Sequence, residues 1–265
     1  MQSTYQLLTK HQVDNYLKRI YFKSDATNDL ECLNKLIYCH HTSVPFENID
    51  VYYGKLPLSL EVNDLFDKIV TKNRGGYCFE LNGLFLALLQ TLGFNAWSSM
   101  CRVVLRDDDV RPISHRGIIV DINGKRYFCD VGFGGPMPCG ALLLEDHKLQ
   151  EFYGETFTPI QDEHGWWNIF KDTKCILKTN EVALEPCDFI PLSDYCSIRE
   201  SAPFRNKLIV NLKTANGHNS IDSNLFIQVI NGNRTEQPIT SVNELTSILA
   251  ENFNIRLKED SYGTI

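Results

Sequence analysis

The chain has 265 residues, 43% of them hydrophobic and 22% charged, enough to bury the core of one large domain or of two to three small ones. A formal charge of -7 with no basic block argues against a general nucleic-acid surface, which needs clustered Lys and Arg. The most apolar stretch, Gly83 to Phe94, is twelve residues long and contains Gln90 and Thr91, short of the roughly twenty that span a bilayer.

The first third reads as helical. The opening MQSTYQLLTKHQVDNYLKRI has no apolar h-region and carries Asp14, so it does not read as a secretory signal. Thr9 is a candidate cap for a helix with Val13, Tyr16, Leu17, Ile20 and Tyr21 at helical spacing. A second helix is expected over Leu30 to His40, and Pro45 interrupts near VPFENIDV. Ser59 is placed to cap a third, whose apolar stripe is Val62, Leu65, Phe66 and Ile69. The loop NRGG follows, and then Leu81, Leu84, Phe85, Leu88 and Leu92 predict a buried helix ending at Gly93.

The period then changes. Trp97 to Leu105, Arg116 to Ile122 and Arg126 to Val131 read as strands. Asp107 to Asp109 is a turn, and Asn123-Gly124 a tight hairpin. Shorter strands are expected at Phe152 to Thr158, Trp166 to Phe170 and Cys175 to Lys178, together an antiparallel sheet or small barrel. Pro186 to Pro203 reads as a connector. Asn206 to Leu212 and Leu225 to Ile230 are strand-like, with a turn at Asn231 to Asn233, and Ser241 to Phe253 is a final amphipathic helix.

Nine cysteines, an odd count with no C-x-x-C pair, fit free thiols in a reducing cytoplasm. In that compartment the sequon Asn233-Arg234-Thr235 carries no meaning. Cys32, Cys39, His40 and His41 match no common zinc spacing, so no metal site is expected.

Three residues stand out chemically. Cys78 follows two glycines and opens an apolar helix, where unpaired N–H groups and the macrodipole favour thiolate. His115 lies where a turn feeds a strand, and its ordinary pKa, about 6.5, suits a general base. Asp130 is the only charge in YFCDVGFG, and a buried carboxylate needs a partner. Taken singly, each has a plainer reading: a packed thiol, a hydrogen-bonded histidine, a turn cap. In combination they form a Cys-His-Asp set that points to acyl transfer through a thioester.

The segments RGGYCFELN (Arg74 to Asn82), SHR (Ser114 to Arg116), DVGFG (Asp130 to Gly134) and PFEN (Pro45 to Asn48) resemble the arylamine N-acetyltransferase family in order and spacing. The resemblance covers about residues 5 to 200 well; beyond that it rests on size and rough pattern. It implies an α+β fold with a cysteine-protease- or transglutaminase-like core. A helical bundle (1–93) would carry the nucleophile, an antiparallel β-barrel (94–200) the histidine and aspartate, and an α/β lid (201–265) would follow.

The same resemblance makes Cys78 the acetylated nucleophile, His115 its base and Asp130 the orienting carboxylate. Arg74 would pair with Glu47 beneath the active-site loop. Phe133 would line the acceptor pocket, and Gly134 would lie near the coenzyme. By the same resemblance no cofactor would be held permanently. Acetyl-CoA would be the co-substrate, bound in an inter-domain cleft without a G-x-G-x-x-G or P-loop motif, and an arylamine, arylhydrazine or N-hydroxyarylamine would be the acceptor. No nucleic-acid or membrane partner is expected, and the oligomeric state stays open. The rival reading is a cysteine hydrolase or transglutaminase-like enzyme that does not use coenzyme A.

Overall fold

The computed structural model describes residues 6–104 and 111–257. Asp107 to Asp109, and Leu105 at the end of its expected strand, lie outside these described residues.

Helix α1 (Lys10–Arg19) is capped by Thr9, which exchanges hydrogen bonds with Gln12 in a capping box. Asp29 caps α2 (Leu30–His41). Strand β1 (Phe46–Glu47) and the short helix α3 (Ile49–Tyr52) occupy the segment interrupted by Pro45. Helix α4 (Val62–Phe66) widens into a π-helical turn over Asp67–Thr71. Its cap is Glu61 rather than Ser59, whose hydroxyl instead donates to Asp64 and accepts from the Glu61 N–H. Helix α5 (Cys78–Thr91) is buried from Cys78 to Leu89 and mostly apolar around its circumference, as a helix enclosed by other elements must be. Leu81, Leu84, Phe85 and Leu88 are fully buried, each contributing about 1.5–3 kcal/mol.

The middle of the chain forms an eight-stranded antiparallel sheet from β2 (Asn95–Val103), β3 (His115–Ile122), β4 (Lys125–Cys129), β5 (Leu142–Leu143), β6 (Gln150–Phe152), β7 (Glu155–Gln161), β8 (Trp167–Lys171) and β9 (Lys174–Thr179). Its order is β5-β4-β3-β2-β9-β8-β7-β6. The sheet curls until β5 approaches β7, a nearly closed barrel around Ile119, Phe128, Phe157, Trp167 and Leu177. Asn123 and Gly124 both have positive φ, as a type I′ hairpin requires. A second such turn, Tyr153-Gly154, splits the segment expected as one strand from Phe152 to Thr158 into two.

The expected connector is also more regular than its sequence reads. A 3-10 turn (Pro186–Phe189) runs into α6 (Ile190–Ser197), and α7 (Pro203–Asn206) follows. Strands β10 (Ile209–Thr214), β11 (Gly217–Asp222), β12 (Leu225–Ile230) and β13 (Asn233–Pro238) form a meander. Helix α8 (Val242–Phe253), capped by Ser241, closes it with Leu245, Ile248, Leu249 and Phe253 inward.

Strand β1 joins this last sheet, not the barrel: Phe46 pairs with Asn211 and Glu47 with Val210. Its other edge meets the loop leading to Cys78, where Glu47 N–H donates to Gly76 O at 2.9 Å. No helix among the described residues is long and apolar enough to cross a membrane.

Candidate active site

Cys78 is the first residue of α5, after Tyr77 in the cap position. Glu80 reaches back to accept from the Tyr77 N–H at 3.1 Å, fixing the loop-to-helix junction. Below this junction lies a buried ionic cluster. Arg74 Nε and Nη2 both lie 2.8 Å from Glu47 Oε1, and Nη2 is 3.1 Å from Asp50. Lys68 bridges Asp50 at 2.8 Å and Glu80 at 2.7 Å. Burial of this kind is tolerated only because every charge has a close partner.

The barrel supplies the other two groups. His115 opens β3, and Asp130 follows the last residue of β4. Ile118 pairs with Cys129, so the register extended by one residue sets Asp130 opposite Gly117, on the face His115 shares. His115 Nε2–H donates to Asp130 Oδ2 at 2.5 Å. Asp130 Oδ1 accepts from Asn82 Nδ2 and from Gly132 N–H, both at 2.8 Å. Asn82 Oδ1 accepts in turn from Val131 N–H at 2.9 Å.

Asn82 stands four residues after Cys78, on the same face of α5, so the helix that presents the sulfur also grips the carboxylate. A Cβ on Gly132 would come within 2.9 Å of Cys78 Cα, so only glycine lets this loop lie so close to the Cys78 backbone. Cys78 Sγ–H points to Ser114 O at 4.0 Å, the carbonyl just before His115.

The helix mouth alone favours thiolate, but burial outweighs it. Burial pushes the Cys78 thiol well above its ordinary pKa, and the nearby Cys196 thiol adds to the shift. Backbone N–H groups of Arg116 and Phe79 pull the other way. Ionisation of Cys78 therefore needs a base that takes the proton inside the site.

Phe133 is half-buried and sets its ring edge-on to His115, with centroids 5.5 Å apart. Gly134 has φ +69°, and a Cβ there would meet the Phe46 ring at 2.5 Å. Gly134 and Val131 border a cleft of about 780 Å³ that runs between α2, the loop after β4 and strand β10. The cleft reaches the loop carrying Asp130 without being lined by Cys78 or His115 themselves.

Two polar contributors do not emerge from the sequence reading. Asn82 carries a spacing signal, i,i+4 from the nucleophile. His41, expected only as a helix end, carries none: it donates from Nε2 to Asp130 O at 2.9 Å, from the last residue of α2. Cys129 packs in the core, and Trp167 is buried while Trp166 sits at the rim.

A thiol at a helix mouth, packed on an antiparallel barrel that holds an imidazole and a carboxylate, defines the cysteine-protease-like class of folds. A sequence profile described as N-acetyltransferase matches residues 29–262. The chain belongs to the arylamine N-acetyltransferase family.

It is 26% identical over 257 residues to the arylamine N-acetyltransferase of Escherichia coli, covering 95% of this chain and 91% of that one. It is 34% identical over 152 residues to the arylamine N-acetyltransferase / N-hydroxyarylamine O-acetyltransferase of Salmonella typhimurium, a match spanning 57% of this chain and 54% of that one. The structure of Mycobacterium marinum arylamine N-acetyltransferase in complex with CoA superposes with a TM-score of 0.85 at 24% identity, over 92% of each chain.

Proposed function

We propose that this protein moves an acetyl group from acetyl-CoA to an arylamine, arylhydrazine or N-hydroxyarylamine, through an acetyl-thioester on Cys78. The observation that carries this reading is the shared hold on Asp130: His115 on one carboxylate oxygen, and Asn82, from the nucleophile's own helix, on the other. That arrangement links the helix that carries the sulfur to the imidazole through the carboxylate. Family membership supplies the donor and the acceptor class.

In the first half-reaction His115 takes the Cys78 proton, and Asp130 stabilises the imidazolium. The sulfur attacks the thioester carbonyl, and backbone N–H groups at the start of α5 receive the developing oxyanion. The carbon–sulfur bond to coenzyme A breaks, and its thiolate leaves with the proton from His115. In the second half-reaction the neutral amine nitrogen attacks acetyl-Cys78. The amide forms, the Cys78 sulfur departs, and His115 takes the amine's proton.

In this reading Arg74 and Glu47 hold the nucleophile's loop, Phe133 forms a wall for the acceptor's ring, and Gly134 keeps the cleft open for the coenzyme. The three units, 1–93, 94–200 and 201–265, divide the work as nucleophile, base and lid. Nine free cysteines support a reducing, cytoplasmic setting.

Incubation with acetyl-CoA alone, followed by intact mass and peptide mapping, tests the scheme. One acetyl group on Cys78, discharged by an added arylamine, is expected. Folded protein that gains no acetyl group there sinks it.

A further inference from the structure

Two thiols meet at one oxygen in this site. Cys78 Sγ lies 4.0 Å, and Cys196 Sγ 3.7 Å, from the carbonyl oxygen of Ser114. Cys78 opens α5 and Cys196 sits near the end of α6, so distant parts of the chain deliver them. Both are buried, at 3% and 5% exposure. Helix α6 is also tied to the nucleophile's loop, because the Tyr77 hydroxyl bonds to Ser193 one turn before Cys196. Each sulfur hangs from a single rotatable bond and can swing without a change of backbone. The acyl-transfer scheme gives Cys196 no task.

We infer that Cys196 is a resolving thiol for Cys78: an oxidised nucleophile is captured as a Cys78–Cys196 disulfide, which halts acyl transfer until it is reduced. This rests on the reading of Cys78 as the nucleophile that His115 deprotonates. The oxidant is hydrogen peroxide. Cys78 sulfur attacks one peroxide oxygen, the O–O bond breaks, an S–O bond forms, and the departing hydroxide takes the proton from His115 to become water. Sulfur loses two electrons, and the peroxide gains them. Cys196 sulfur then attacks Cys78 sulfur, the S–O bond breaks, the S–S bond forms, and a second water leaves with the Cys196 proton.

The order of events follows from the surroundings. With His115 as its base, Cys78 has somewhere to send its proton, whereas burial pushes Cys196 up to about 12 and keeps it protonated, ready to supply that last proton. Cys101, the buried thiol on the adjoining strand, is already engaged with Thr179 at 3.4 Å.

The experiment exposes the full-length protein to a several-fold molar excess of hydrogen peroxide without acetyl-CoA, blocks remaining thiols, and maps peptides without reduction. The expected product is lighter by the two thiol hydrogens, shows a linked Cys78–Cys196 peptide, and regains acetylation after dithiothreitol. C196S should instead carry Cys78 to sulfinic acid, with no recovery on reduction. C196A repeats the test if the serine variant misfolds, and the wild-type map decides by itself if both do.

Sulfinic Cys78 beside a free Cys196 in the wild type overturns the proposal, as does a disulfide from Cys78 to any other cysteine. Untreated protein that takes no acetyl group fails the transferase reading instead. The linked peptide is scored independently of acyl transfer, so the two failures remain distinct.

Discussion

Asn82 grips Asp130 and its neighbour together: the Asn82 amide nitrogen donates to the Asp130 carboxylate at 2.8 Å, and its oxygen receives the N–H of the next residue, Val131, at 2.9 Å. One side chain thus fixes both the aspartate and the backbone that carries it. Asn82→Ala should lower kcat/KM by on the order of a hundredfold through misplacement of His115. It should also cost about 1–3 kcal/mol of stability from the unsatisfied groups it leaves. Steady-state kinetics paired with urea unfolding checks both. A variant with normal rates would remove Asn82 from the positioning machinery.

Asp130→Asn keeps the shape but removes the charge that stabilises imidazolium. By analogy with the serine-protease case, a loss of roughly 10⁴ in kcat is expected. Cys78→Ser should be inactive, because a hydroxyl is much harder to ionise than a thiol. Rapid-mix mass spectrometry of the acetyl-enzyme separates slow formation in the first variant from none in the second.

Arg74→Met strands Glu47 in a buried position. Removing one partner of a buried ion pair costs about 3–5 kcal/mol. For a chain of this size that corresponds to a fall in Tm on the order of 10 °C. Arg74→Lys should recover only part of it, since Nε and Nη2 now grip one carboxylate oxygen together. A thermal melt no lower than that of the wild type would contradict this role.

Gly134→Ala should raise KM for acetyl-CoA more than it lowers kcat. Its φ of +69° and the Phe46 ring 2.5 Å away oppose any Cβ. Adding Phe46→Leu removes the ring but not the backbone strain, so recovery should be partial. Unchanged KM in the single variant would detach Gly134 from coenzyme binding.

Stability should fall as the solution is acidified below about pH 6.5. Burial, helped by the Lys213 charge, lowers His41 to about 4, while the unfolded chain titrates near 6.5. Between these values the unfolded state binds the extra proton, so stability rises with pH there and is lost on the way down, by about 3 kcal/mol in total. His40 is shifted in the same sense by its burial, and Glu80, raised by burial, works in the opposite one. His41→Gln should flatten the slope in urea unfolding between pH 4 and 6.5. An unaltered slope would show that His41 does not titrate as described.

Legibility followed the range of the forces involved. Asn123-Gly124, the Thr9 cap and the start of α5 at Cys78 are local matters, settled by residues within one turn, and their sequence signals were sufficient. Tyr153-Gly154 escaped because a tyrosine at φ +52° gives no turn signal of its own. Helix α6 escaped because Pro186 and Pro191 read as breakers, whereas each sits in the first turn of its helix, where a missing N–H costs nothing. His41 and Cys196 reach the site only through tertiary packing, which no local pattern encodes.

The pairing of β1 with β10 carries a consequence for synthesis. As the polypeptide leaves the ribosome, helices α1 to α7, the barrel strands, the thiol and the imidazole all emerge before Val210 and Asn211 do. Until those two residues arrive, Phe46 and Glu47, which meet Gly76 in the loop leading to Cys78, have an open edge. A nascent chain stalled short of β10 would therefore hold the strand beside the Cys78 loop by one edge only.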